Sequence, residues 1–328
     1  MTMLRIIGKS DVERLLTMDR CIEEMAAAMK ASTKGEVLIP ARQITPLQSG
    51  AGFFAMMPSA SQECGAFGAK AISLFPNNPA QGVPAIQGFI CLFEDKTGAP
   101  LAIINGASVT AIRTAAASGL ATKLLARENV ETHTIIGTGV QAVVHAQAIC
   151  AARPGIMKTL IWGRNAENAK KAAEEIAGKV NCEVTVASDL ELAARSDVIS
   201  MVTAAKSPIL HGKWLREGAH VNLVGPHKAT EREADTETIL RARVYVDLLE
   251  SARREAGEIL IPIEEGVFSL EDIVGEIGAV VARTAPGRQS ASDITLYKSV
   301  GVASQDLYAA AALLRLAEEA NAGAVVSL

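Results

Sequence analysis

The sequence predicts an α/β protein: a doubly wound parallel sheet, plus an α+β domain built from both ends of the chain. Three observations predict it. From about residue 132 onward, β-branched apolar runs alternate with helical stretches, and such alternation requires right-handed crossovers between parallel strands. A glycine-rich turn, Gly137-Thr138-Gly139-Val140-Gln141-Ala142, joins the first of these runs to the first of these helices. The chain has 328 residues, and at roughly 150 residues per domain it holds about two domains.

The elements follow in order. Ser10-Asp11 starts an amphipathic helix that runs to about Ala31, with Leu15, Leu16, Ile22, Met25, Ala26 and Met29 at helical spacing. Between Pro40 and about Ile104, short apolar segments alternate with Gly, Pro and Asn, as strands and turns do. Lys96-Thr97-Gly98 reads as a hairpin-like turn. Ser108–Arg127 reads as one Ala-rich helix. Then HTIIGTG, KTLIWGRN, CEVTVA, DVISMVT, HVNLVG and VYVDLLE read as strands, with VQAVVHAQAICAA, AENAKKAAEEIAG and DLELAARS as helices between them. The tail from Ser304 is a last helix. These boundaries place an α+β domain at 1–120 and 304–328, and the doubly wound domain at 121–303.

Composition narrows the function. Thirty-two Lys and Arg against 36 Asp and Glu give a net charge of −4, and aromatics are 4%. A weakly acidic chain without a basic block is a poor partner for nucleic acid or an anionic membrane. No apolar run reaches the ~18 residues that span a bilayer. Asp11 and Glu13 stand where a signal peptide needs its apolar stretch, so the expected location is cytoplasmic. The five scattered cysteines read as reduced, mostly core thiols.

The glycine turn fits GxGxxA between strand and helix. Gly137 permits the tight turn, Gly139 lets backbone approach a pyrophosphate, and Ala142 lets helix and strand pack. Free N–H groups at the helix start suit the phosphates. This is the Rossmann pattern, and it implies a nicotinamide dinucleotide. At the tip of the second strand an NAD site usually carries an acid. Here it reads Gly163-Arg164-Asn165. Arg164 is placed to pair with a 2′-phosphate, or is a surface charge. Asn165 donates to that phosphate, or caps the next helix. NADP(H) is favoured, with NAD(H) as the second reading.

Three cations upstream stand out. Lys70 lies among small and apolar residues, Arg113 lies in the first turn of the Ser108 helix, and Arg42 lies between two prolines. Singly, each reads as an ion-pair partner or a snorkelling side chain. Together they suggest a pocket for a small carboxylate.

The chain resembles the ornithine cyclodeaminase/μ-crystallin family. The resemblance is carried by PARQITP, MMPS, the stretch from GAKAISLFPNNPAQGVPAIQGF to ASGLATKLLAR, IIGTGVQA, GAHVNLVGPHKATEREAD and DITLYKSVGVASQDL, which cover most of the chain in order. It implies a homodimer whose N-terminal sheets join across two subunits, a Rossmann domain, and a substrate pocket in the cleft between domains. It also implies site roles. Arg42 holds the substrate carboxylate, Lys70 is the active-site lysine, Arg113 serves the carboxylate and the nicotinamide edge, and Met57 lines the pocket. Gly139, Val140 and Gln141 meet the pyrophosphate. Thr203, Val224, Gly225, Ser299 and Val300 meet the cofactor.

One position departs from the cyclodeaminase pattern. There an aspartate follows the VG segment, whereas this chain reads Val224-Gly225-Pro226-His227. A neutral histidine offers no anionic partner to the distal ammonium of a diamine. His227 is then a second proton donor, or only a hydrogen-bond partner on the cofactor side. The expected function is NAD(P)H-dependent reduction of a cyclic imine carboxylate, Δ1-pyrroline-2-carboxylate or Δ1-piperideine-2-carboxylate, to L-proline or L-pipecolate. The rivals are an ornithine cyclodeaminase, an alanine-type dehydrogenase, a hydroxyproline dehydratase and a non-catalytic ligand binder. The other histidines show no metal-ligand spacing, so no metal is expected.

Overall fold

The structure is a computed structural model that describes residues 3–328. Met1 and Thr2, which the sequence assigns to the first domain, lie outside the described residues. In chain order the first half comprises β1 (Met3–Ile7), α1 (Lys9–Leu15), α2 (Met18–Thr33), β2 (Val37–Leu38), β3 (Gln43–Pro46), β4 (Phe53–Ser61), β5 (Ala66–Leu74), β6 (Ile86–Glu94), β7 (Pro100–Asn105) and α3 (Gly106–Leu125). There follow β8 (Thr132–Ile136), α4 (Val140–Ala152), β9 (Lys158–Trp162), α5 (Ala166–Ala177), β10 (Glu183–Val186), α6 (Leu190–Ala193), β11 (Val198–Met201) and β12 (His220–Leu223). The remainder is α7 (Thr236–Arg241), β13 (Ala242–Val246), α8 (Leu249–Glu255), α9 (Gly257–Glu264), β14 (Gly275–Glu276), α10 (Ile277–Val281), β15 (Ile294–Lys298), α11 (Ala303–Glu319) and β16 (Ala324–Ser327).

The chain divides into two units. One runs up to Arg113 and resumes at Val302–Leu328; the other is Thr114–Gly301. The divide falls inside α3, earlier than the expected 120/121. The single helix expected over residues 10–31 is two, α1 and α2, since Leu16 leaves helical geometry at φ −88° and ψ 77°.

In the first unit the sheet runs β16-β1-β7-β6-β5-β4-β2, with β3 also paired to β4. Side chains alternate across its pleat. On β4, Ala55, Met57, Ser59 and Ser61 are buried, while Phe54 and Met56 are 40% and 37% exposed. α11 packs on α2 and across β4, β5 and β6. In register, Phe54 and Met56 share the other face with Phe67 and Phe89.

In the second unit every strand pair is parallel, in the order β10-β9-β8-β11-β12-β15-β13-β14. The chain starts at β8, steps outward to β9 and β10, then crosses to β11. That reversal leaves a crevice at the carboxyl ends of β8 and β11, where doubly wound sheets bind ligands. Aliphatic side chains of β8, β11, β12, β13 and β15 build the core here, Ile136, Ile199, Leu223, Val244 and Leu296 among them. The cysteines differ from expectation: only Cys21 is buried, and the other four are half-buried.

Candidate active site

Lys70 lies in the middle of β5, on the face that α11 covers, and its side chain is 1% exposed. A buried ammonium needs a partner. Asp306, in the first turn of α11, supplies one: Nζ lies 2.7 Å from Oδ2. The helix start favours an acid there on its own account. Burial lowers the pKa of Lys70 to about 8, with Arg113 and Arg42 adding to the fall and Asp306 opposing it. Burial also works against the Asp306 carboxylate, but Arg113 and Lys70 outweigh it and hold its pKa below the usual value.

Arg113 is 5% exposed and meets the same acid. Its Nε donates to Asp306 Oδ1 at 3.0 Å, and Nη1 donates to Gln305 Oε1 at 2.8 Å. Two sides of the guanidinium are thereby fixed, and Nη2 is left for a further acceptor. This corrects the expected position of Arg113. α3 begins at Gly106, so Arg113 stands in the third turn, where the dipole argument for a bound anion has no force. Its anion is a residue of the chain itself. Gln305 is fully buried, and its Nε2 has no hydrogen-bond partner among the described residues.

Met57 and Lys70 are direct cross-strand partners. Met57 is 6% exposed and forms a wall beside the ammonium. Arg42 precedes β3, where Gln43 pairs with Met56. The strand register therefore brings the Arg42 backbone level with Met57. Arg42 is half-buried, and its charge reaches Lys70.

In the second unit the glycine loop is built for close approach. Gly137 has φ +134°, and a Cβ there would lie 2.6 Å from the Val202 carbonyl oxygen. A Cβ on Gly139 would meet nothing within 4 Å. α4 starts at Val140 with no side-chain cap on its free N–H groups. Val140 is 71% exposed, Thr138 is half-buried, and the buried Gln141 Oε1 has no partner among the described residues. Open space, uncapped donors and a positive dipole end fit the pyrophosphate of a dinucleotide.

Arg164 is exposed and makes no ion pair among the described residues. Asn165 is the N-cap of α5: its Oδ1 accepts the Asn168 N–H at 2.9 Å. The capping alternative for Asn165 is thus the one its side-chain oxygen takes up.

The strand ends beyond the loop are tied to buried acids. Thr203, two residues past β11, donates its N–H to Glu233 Oε1 at 2.7 Å. Gly225, two residues past β12, donates its N–H to Glu233 Oε2 at 2.8 Å. Val224 is bonded back to Met201, and Ser299 to Leu223. Val300 and Gly301 donate to Asp247 Oδ2 at 3.0 and 2.7 Å. Burial pushes Glu233 up to about 7, against its bond to Thr203 and the charge of Lys298. His227 follows Gly225-Pro226 and is half-buried. The other histidines are structural: burial keeps His133, His145 and His220 uncharged, with pKa values of about 3, 4 and 3, and His211 pairs with Asp235 at 2.9 Å.

The sequence reading missed Asp306, Gln305, Glu233, Asp247, Glu258 and Lys298. Asp306 and Gln305 carried a usable signal, since they are polar residues in a helix otherwise rich in Ala and Leu. Glu233 carried none, because a Glu at a loop position looks like a solvated charge, and Glu258, in the first turn of α9, looks like an ordinary acid at a helix start.

Relatives agree in length and fold. A Δ1-pyrroline-2-carboxylate reductase of Colwellia psychrerythraea is 38% identical over 94% of this chain and 97% of its own. The mouse ketimine reductase mu-crystallin is 35% identical over 88% of each chain. A solved structure of the Thermococcus litoralis Δ1-pyrroline-2-carboxylate reductase, in complex with NADH and L-proline, superimposes with a TM-score of 0.94 at 38% identity, covering 98% of this chain and 99% of that one. The profile of the ornithine cyclodeaminase/mu-crystallin family matches residues 3–321, and the chain belongs to that family.

Proposed function

We propose that this protein is an NAD(P)H-dependent ketimine reductase. It reduces a cyclic imine carboxylate, Δ1-pyrroline-2-carboxylate or Δ1-piperideine-2-carboxylate, to L-proline or L-pipecolate. The observation that carries the reading is the buried Lys70–Asp306–Arg113 cluster, in a chain 38% identical to a reductase solved with NADH and L-proline.

The reaction needs an anchored carboxylate, a proton at the imine nitrogen and a hydride at C2. Arg42 offers a fork for the carboxylate. Arg113, committed to Asp306 and Gln305 on two sides, offers its remaining Nη2 edge. Such anchoring fixes C2 and removes several kcal/mol of orientational cost. Lys70, with a pKa of about 8, is mostly protonated at neutral pH. Its ammonium gives the imine nitrogen the proton that makes C2 electrophilic, and His227 is the second candidate donor. Asp306 holds the ammonium in place and, with its depressed pKa, does not take the proton itself. Met57 excludes water beside it. The reduced nicotinamide, once bound, supplies the hydride.

On the cofactor side, Gly137, Thr138, Gly139, Val140 and Gln141 take the pyrophosphate. Thr203, Val224, Gly225, Ser299 and Val300 border the nicotinamide half. Exposed Arg164 favours NADPH, by pairing with its 2′-phosphate. The apolar face of the first sheet, with Phe54, Met56, Phe67 and Phe89 each 37–45% exposed, favours a homodimer.

The test is NADPH or NADH oxidation at 340 nm with both imines, run beside ammonia release from L-ornithine with NAD. Imine-dependent oxidation with little ammonia is expected. Robust ammonia release from L-ornithine without net oxidation would instead make the chain a cyclodeaminase.

A further inference from the structure

A buried acid joins the two strand ends that precede the cofactor-side loops of the second unit. β11 ends at Met201 and β12 at Leu223, and the next N–H but one on each, Thr203 and Gly225, points at Glu233. One carboxylate oxygen serves each strand end. The approach is close enough to dictate glycine: a Cβ on Gly225 would lie 2.3 Å from the Thr203 carbonyl and 2.4 Å from Glu233 Oε2.

Glu233 is itself held from behind. Its backbone N–H donates to Glu258 Oε1 at 3.1 Å. Glu258 Oε2 pairs with Lys298 Nζ at 2.8 Å, both side chains fully buried. Lys298 Nζ also donates to the Pro226 carbonyl at 2.6 Å, the peptide group that leads into His227. Lys298 is the last residue of β15 and precedes Ser299-Val300, whose loop Asp247 holds. Three buried acids thus surround one buried lysine at the carboxyl ends of β11, β12 and β15.

Such a cluster is a poor means of stabilising a fold. Desolvating these charges costs about as much as their attraction returns, and apolar packing would serve stability better. What the charges provide is direction, because each oxygen fixes one named N–H or carbonyl.

We propose that Glu233 is a positioning residue for the reduction: by binding the Thr203 and Gly225 N–H groups it fixes the turn that carries His227. The role rests on the reductase reading. Glu233 touches no reacting atom and acts through the turn. A glutamine cannot replace it, since it retains one acceptor oxygen and turns an NH2 group toward the second N–H.

The experiment pairs amide hydrogen exchange with a double-mutant cycle on the whole protein. In Glu233→Gln, the Thr203 or Gly225 amide should exchange about tenfold faster or more, while the bodies of β11 and β12 stay protected. Turnover of a cyclic imine should fall by a similar factor, with the dissociation constant of the reduced cofactor moving less. Adding His227→Asn should cost little beyond the larger single effect, because both changes act on one turn. Glu233→Asp keeps the charge but loses reach, and should show the same exchange pattern if the glutamine variant does not fold. Unchanged protection of both amides, or fully additive losses, would overturn the proposal. A wild-type protein that turns over no cyclic imine would instead overturn the reductase reading and the role built on it, whereas exchange would still report whether Glu233 holds the two amides.

Discussion

Lys70 and Asp306, from opposite ends of the chain, form a buried ion pair at 2.7 Å, and Arg113 shares the same carboxylate at 3.0 Å. Two cations thus depend on one acid in the interior of the first unit. Asp306→Asn would leave both without an anion. Removing one partner of a buried pair costs about 3–5 kcal/mol, so a loss of that order is expected in urea unfolding. The pKa of Lys70 should fall further, since Asp306 is the group that raises it.

The pH dependence follows from Lys70. Its pKa is lowered from 10.5 to about 8, chiefly by burial. As proton donor it works below that value, so the rate of imine reduction should decline as pH rises through about 8. The stability effect has the opposite sign. Between about 8 and 10.5 the unfolded chain holds the proton and the folded chain does not, so this group's contribution to stability rises with pH. Stopped-flow rates from pH 6 to 10 check the first point. A wild-type against Lys70→Met comparison of melting temperature against pH checks the second.

Arg42→Ala should lower kcat/KM for the imine about 100-fold or more, because a charge-assisted bidentate contact and the orientation it gives are both lost. Cofactor affinity, measured by fluorescence titration, should be unchanged. Loss of cofactor binding would move Arg42 out of the substrate site.

Arg164→Ala should raise the KM for NADPH roughly tenfold, the scale of one charged hydrogen bond, and leave that for NADH nearly as it was. Equal effects on both would contradict a 2′-phosphate contact. Steady-state kinetics with the two cofactors decide it.

Light scattering should find a homodimer at micromolar concentration. Phe89 is 45% exposed on the apolar sheet face. Phe89→Asp would place an unpaired charge there and should weaken the dimer at least about tenfold. A wild-type monomer would contradict the assignment.

What is local or periodic in this protein was readable from the order of its residues. The strand-turn-helix around Gly137 was legible because only glycine tolerates φ +134° with a backbone carbonyl 2.6 Å from its missing Cβ. The parallel sheet was legible because β-branched runs alternate with helices. Lys70 was legible because an ammonium among apolar residues needs an explanation, and family resemblance gave it a role. Tertiary structure decided the rest. That Asp306 is the partner of both Lys70 and Arg113 depends on α11 packing across β5, a long-range contact with no mark in local spacing. Tertiary structure also decided that Lys298, at the end of β15, is buried with Glu258 as its partner. The same holds for Glu233, at a loop position like many solvated acids. Its meaning comes only from the two strand ends folded around it, where a buried carboxylate lies within 2.8 Å of two N–H groups.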